Sequence, residues 1–99
     1  MAFSLTGVSY KTMYNRETIL LAVRAYIAAN MPRPIADTEN YFESGFVKSL
    51  FGIQLIAFIE RQFDAAIDDD DLVLTNFNSV ENVAAFVCRK KDVRFEPAA

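Results

Sequence analysis

The 99-residue chain contains no histidine and no tryptophan, only one cysteine, and three residues each of glycine and proline. Without histidine it lacks the commonest general base and zinc ligand, and no Ser-His or Cys-His nucleophile pair can be assembled. The lone cysteine, Cys88, has no intramolecular disulfide partner, which fits a reducing, cytoplasmic setting. So few glycines and prolines exclude a low-complexity chain and a succession of tight hairpins. The opening Met-Ala-Phe-Ser-Leu-Thr-Gly lacks the basic stretch that begins a signal peptide. The most apolar window, Leu50 to Ile59, is about half the length that spans a bilayer and is interrupted by Gly52 and Gln54. What is present is a chain 53% hydrophobic and 23% charged, enough for one small soluble domain with its own core. Composition does not favour an enzyme.

The net charge of −3 conceals an uneven distribution. Residues 1–36 carry Lys11, Arg16, Arg24 and Arg33 against Glu17. Residues 37–87 hold ten acids against Lys48 and Arg61, and residues 88–99 are again basic through Arg89, Lys90, Lys91 and Arg94. A central acidic segment repels phosphate backbones and attracts basic protein surfaces, so no nucleic acid is expected as a partner. The cluster Arg89-Lys90-Lys91 is the only feature that keeps that option open.

Helical spacing occurs three times. Ile19, Val23, Tyr26 and Ile27 share one face, with Asn15 as N-cap and Tyr14 placed to staple onto Ile19. That helix must stop near Asn30, because Met31-Pro32-Arg33-Pro34 cannot continue it. Val80, Val83, Ala84 and Val87 repeat the spacing behind Ser79, with Glu81 in the first turn and Arg89, Lys90 and Lys91 at the C-terminal end. A middle helix from about Ser49 to Phe63 is apolar nearly all round: Leu55, Ile59 and Phe63 form one wall, with Leu50, Ile53 and Ala57 almost opposite. Three long helices cannot enclose it on every side. The stripe Leu50, Ile53, Gln54, Ala57 and Arg61 is therefore expected to be exposed and used in recognition; the alternative is that Leu50 and Ile53 belong to the core.

Residues 31–48 form a long connection, with Tyr41, Phe42, Phe46 and Val47 available to anchor it. Asp68 or Asp69 begins a short helix of about one and a half turns. The expectation is an all-α four-helix bundle with three longer helices, one short helix and a long first loop. Its domain runs over residues 15–91, between an extension at 1–14 and a tail at 92–99. A monomer with no membrane segment is expected.

Candidates for catalysis fail in turn. No Ser-x-x-Lys occurs, and Gly7, Gly45 and Gly52 are too scattered for a phosphate loop. Asp68–Asp71 lacks the alternating ligands, central glycine and final glutamate of a calcium loop. Cys88 reads as a small buried side chain rather than a reactive thiol. Ser49 stands apart, since it opens the middle helix behind a loop. A serine there is most simply an N-cap, but a helix start also offers unpaired amides and a positive dipole end to a phosphate.

The string Asn40-Tyr41-Phe42-Glu43-Ser44-Gly45-Phe46-Val47-Lys48-Ser49-Leu50 resembles the phosphopantetheine attachment region of acyl carrier proteins. The resemblance continues through Ile53, Leu55, Ile59-Glu60, Phe63, Ile67, Asp71, Phe77, Ser79-Val80 and Val83. It implies a bundle of three longer helices and a short one, with the modified serine at Ser49. A phosphopantetheinyl transferase would then join the arm of coenzyme A to the Ser49 hydroxyl with magnesium. The arm's thiol would carry an acyl or aminoacyl group as a thioester.

By the same resemblance the chain is a freestanding carrier, not a catalyst. Its partners would be the transferase, an acyl- or aminoacyl-loading enzyme, and an acyltransferase, synthase or dehydrogenase acting on the carried group. They would meet Phe46, Val47, Lys48, Leu50, Ile53, Gln54, Ala57, Glu60 and Arg61. Two features depart from the family: Lys48 stands where an aspartate usually precedes the serine, and Gln54 and Arg61 stand where acids are common. These departures, with the longer Gly45-to-Ser49 spacing, resemble discrete carriers of aminoacyl or unusual polyketide units in secondary-metabolite biosynthesis, such as antibiotic pathways.

Overall fold

A computed structural model describes residues 14–93. The sequence assignments for residues 1–13 and 94–99 lie outside the described residues. Three α-helices follow in order: α1 (Arg16–Ala29), α2 (Ser49–Phe63) and α3 (Val80–Lys90). No strand occurs among the described residues, whose regular structure is all helical. Asn15 caps α1 through a reciprocal pair: its Oδ1 accepts from the Thr18 amide at 2.9 Å, and the Thr18 hydroxyl accepts from the Asn15 amide at 3.1 Å. Ser79 caps α3, its Oγ accepting from the Asn82 amide at 3.1 Å. Both helices also hold an acid in the first turn, Glu17 and Glu81, where it meets the positive end of the dipole.

The core is built from Ile19, Val23 and Ile27 of α1, Phe51, Leu55, Ile59 and Phe63 of α2, and Val80, Val83, Ala84, Phe86, Val87 and Cys88 of α3. Small and branched side chains let α1 and α3 approach closely. Aromatic rings set α2 against α1: Tyr26 stacks on Phe58 at 4.1 Å between centroids and on Phe51 at 6.3 Å. Tyr14 and Val93, assigned from the sequence to the terminal extension and tail, pack against this core. The Tyr14 ring lies 5.9 Å from that of Phe63, and the Val93 amide donates to the Cys88 carbonyl at 2.7 Å.

Asp68 does stand as an N-cap, as expected, but the short helix of about one and a half turns is corrected in length and type. In its place are two 3₁₀ turns, Asp69–Asp71 and Leu74–Asn76, joined through Val73 in extended conformation. Asp68 caps the first turn, its amide donating to the Asp71 carboxylate at 2.9 Å. The turn stops there because the Asp71 carbonyl accepts from the Val73 amide and the Asn76 side chain, both at 2.8 Å, instead of from the next turn of an α-helix. Lys90 then pairs with Asp71 at 2.8 Å, tying the turn to α3.

Three carboxylates are held below their ordinary range by cationic hydrogen-bond donors: Asp37 by Arg24, Glu39 by Arg33 with help from the Ser44 hydroxyl, and Asp71 by Lys90. Each binds its proton more weakly folded than unfolded. Their contribution is therefore complete above the unfolded pKa and is lost as pH falls through the folded one. The urea midpoint should stay level from neutrality to about pH 5 and drop below about pH 4. A midpoint at pH 3 equal to that at pH 7 would contradict these pairings.

Candidate functional site

The approach to α2 is ordered in two stages. In the first, Arg24 of α1 forks onto Asp37, with Nε and Nη2 at 3.1 and 2.8 Å from its two carboxylate oxygens. The Asp37 carbonyl accepts from the Glu81 amide at 2.9 Å, joining the loop to the start of α3. Tyr41 then enters the core completely: its amide donates to the Asn78 carbonyl at 3.2 Å and its hydroxyl to the Phe77 carbonyl. Burial pushes its phenol well above the usual range, so the hydroxyl is a fixed donor.

The second stage is a compact turn. The Asn40 side-chain oxygen accepts from the amides of Phe42 and Glu43 at 3.0 and 3.1 Å, and the Gly45 amide donates to the Phe42 carbonyl at 3.2 Å. Gly45 has φ +77°, a left-handed conformation that favours glycine, while an added Cβ would meet nothing within 4 Å. Backbone geometry, rather than crowding, therefore calls for glycine here. Phe42 and Val47 pack against the core as expected of loop anchors. Phe46 does not; its ring lies half-buried beneath the Arg33 guanidinium, 4.6 Å from centroid to Cζ.

Ser49 is exposed, but it is not the helix cap that the sequence alone makes simplest. Lys48 occupies the N-cap position with φ −107° and ψ 173°, and its side chain makes no capping bond. Ser49 is the first helical residue, and among the described residues nothing hydrogen-bonds its hydroxyl. Cap preference favours serine over lysine, yet the packed Val47 and the turn before it set the register at which the chain enters the helix. Unlike α1 and α3, α2 has no side-chain cap and no acid in its first turn. Apart from the Phe51 amide, which donates to the Lys48 carbonyl at 2.9 Å, its first amides have no side-chain acceptor, and no acid faces the positive dipole end beside the exposed Ser49 hydroxyl.

The outer face of α2 is open as expected. Leu50 is 62% and Ile53 66% exposed, and Lys48, Gln54, Ala57, Glu60 and Arg61 are exposed with them. Placing Leu50 and Ile53 in the core is thus corrected: Phe51, Leu55, Ile59 and Phe63, spaced four apart, take the inward side. Arg61→Glu should leave the melting temperature nearly unchanged, within about 0.5 kcal/mol, because the side chain is solvated. A large loss of stability on thermal denaturation would show that this face is structural.

Beside the face lies an apolar groove of about 320 Å³, lined by Phe42, Gly52, Ile56, Leu72, Val73, Leu74 and Phe77. Gly52 sits one turn beyond Ser49, and a side chain there would grow toward the Phe42 ring, whose Cζ is 3.9 Å from an added Cβ. Neither the groove nor the Arg33 contact to Phe46 has a periodic signal, because each gathers residues from separate segments.

Other candidates are accounted for internally. Lys90 pairs with Asp71 and Asp68, Arg89 donates to the Asn76 side chain at 2.9 Å, and Lys91 lies over the Tyr14 ring at 5.0 Å. Cys88 is fully buried, and burial raises its thiol pKa. Among the described residues no group of three His, Cys, Asp or Glu side chains is placed to hold a metal ion, and no helix is long and apolar enough to cross a membrane. No protein-family model, curated protein or solved structure matches this chain.

Proposed function

We propose that the chain is a carrier protein that bears 4'-phosphopantetheine on Ser49 and presents an acyl or aminoacyl thioester to partner enzymes. The observation that carries this reading is the solvent-exposed, unpartnered Ser49 hydroxyl at the start of a helix whose amides and dipole lack any acid or cap. A phosphodiester attached there would bring the missing negative charge, worth about 0.3–1 kcal/mol at an exposed helix end. On modification, the Ser49 oxygen forms a bond to phosphorus, the pyrophosphate link of coenzyme A breaks, the nucleotide leaves and the hydroxyl proton is lost. When bound, the arm supplies a terminal thiol for thioester formation. The chain's own contribution is to hold Ser49 in water and to offer the groove past Gly52 to an apolar part of the carried group.

On this reading the fold is a bundle of acyl-carrier type, with the 3₁₀ turns at 69–76 standing where the family has its short helix. The partners are a phosphopantetheinyl transferase, a loading enzyme and an enzyme acting on the carried group. They meet the α2 face and the loop residues Phe46 and Val47. Lys48 and Arg61 on this face favour partners different from those of strongly acidic carriers, in keeping with secondary metabolism and a cytoplasmic setting.

A second reading, a helical interaction domain without an arm, draws on the exposed Leu50 and Ile53 and on Leu72, Val73 and Leu74, all about half exposed or more. It no longer has Ser49 as a cap. Intact-mass measurement after incubation with coenzyme A, magnesium and several transferases separates the two. A gain of one phosphopantetheine supports the carrier; no gain with any transferase sinks it and leaves the interaction domain.

A further inference from the structure

We infer that Arg33 is a positioning residue for the modification of Ser49, holding the preceding turn in the shape that a transferase must engage. This rests on the carrier reading. Between Tyr41 and the helix, no residue from 42 to 50 is fully buried, so this turn cannot take its shape from core packing alone. A chain of polar contacts closes it instead. The Arg33 guanidinium forks onto Glu39, Nη2 to Oε2 at 2.7 Å and Nη1 to Oε1 at 3.3 Å, while Nη1 also donates to the Pro34 carbonyl at 2.8 Å. The same Glu39 Oε2 accepts the Ser44 hydroxyl at 3.0 Å, and that hydroxyl also lies 3.2 Å from the Asn40 carbonyl. The other side of the guanidinium system covers the Phe46 ring at 4.6 Å. One side chain thus reaches both halves of the turn: Ser44 through Glu39, and Phe46 directly. Phe46 is three residues from Ser49 and is not packed into the core, and the Arg33 guanidinium covers its ring.

The clasp is exposed, with the Arg33 side chain 52% accessible, and an exposed pair contributes little to global stability. What it narrows is the range of conformations open to the turn before a partner arrives. If its loss cut the binding-ready fraction to a tenth, the apparent KM would rise by about tenfold with kcat unchanged. Lysine would keep the charge but could neither fork onto Glu39 nor lay a planar group over Phe46.

The test is steady-state modification of the full chain by one transferase with coenzyme A, comparing wild type, Arg33→Ala and Arg33→Lys, alongside amide hydrogen exchange. The expected result is a KM raised by about tenfold in both variants with kcat within twofold. Exchange should quicken at Ser44 and Gly45 while Ile59, Val83 and Val87 keep their protection. Wild-type kinetics in Arg33→Ala, or full rescue by Arg33→Lys, would overturn the inference and leave the carrier reading intact. So would exchange that rises equally throughout the fold, which would mark Arg33 as a general stabiliser. A wild-type chain that no transferase modifies would remove both.

Discussion

If Ser49 bears the proposed arm, Ser49→Ala should abolish its attachment completely while leaving the fold standing. The position is the first residue of α2, not its cap, and the hydroxyl has no partner among the described residues. Alanine is at home in a helix, so the change in stability should stay within about 0.5 kcal/mol. A serine that capped the helix would instead cost about 1 kcal/mol on removal. For a domain of this size that is a fall in melting temperature of about 4–8 °C, easily resolved by thermal denaturation. Ser44→Ala serves as the control, because Ser44 is also exposed and close by but bonds to Glu39 and Asn40. It keeps the attachment hydroxyl and should still gain one arm at the endpoint, whatever the loss of its Glu39 contact does to the rate. A variant at 49 that melts several degrees lower, or one that still gains mass, would place the role of this serine elsewhere.

Truncating Tyr41 to alanine should be among the most damaging single changes in the chain, costing about 3–5 kcal/mol by analogy with other buried aromatics. Its ring lies 5.5 Å from Phe51 and 5.2 Å from Phe42, and its hydroxyl serves the buried Phe77 carbonyl. Such a loss approaches the whole margin of a small domain, about 5–15 kcal/mol. Tyr41→Phe isolates the hydroxyl: it keeps the ring and leaves the carbonyl unsatisfied, for about 1–3 kcal/mol. Urea denaturation of both variants gives the two figures. A phenylalanine variant as stable as wild type would show that the Phe77 carbonyl finds another donor.

Both expectations depend on details that were unequally legible from the amino-acid order. The helices were readable because their signals are local: Asn15 and Ser79 cap, Met31-Pro32-Arg33-Pro34 stops, and apolar residues recur at intervals of three and four. The open face of α2 was readable by elimination, since a bundle this small has one inward side for each helix. Lys48 as the entry residue was not, because statistical preference selects the serine while the packing of Val47 decides the register. The short helix is reduced to 3₁₀ turns by contacts that leave no pattern in the sequence: the Asp71 carbonyl is taken by the Val73 amide and the Asn76 side chain, which ends the turn that Asp68 caps. The groove joins Phe42, α2 and Leu72–Leu74, and the Arg33 clasp joins residues six to thirteen positions apart. Neither leaves a periodicity to find.

The sealed position of Cys88 has a practical corollary. It is the chain's one sulfhydryl, it is closed off from solvent on α3, and its environment disfavours the thiolate that alkylating reagents attack. In the native protein, then, a maleimide or iodoacetamide finds no accessible thiol, and on the carrier reading the first one would come with the proposed arm. Colour or fluorescence from such a reagent would count free arms directly, and its disappearance would report their loading without any separation of products.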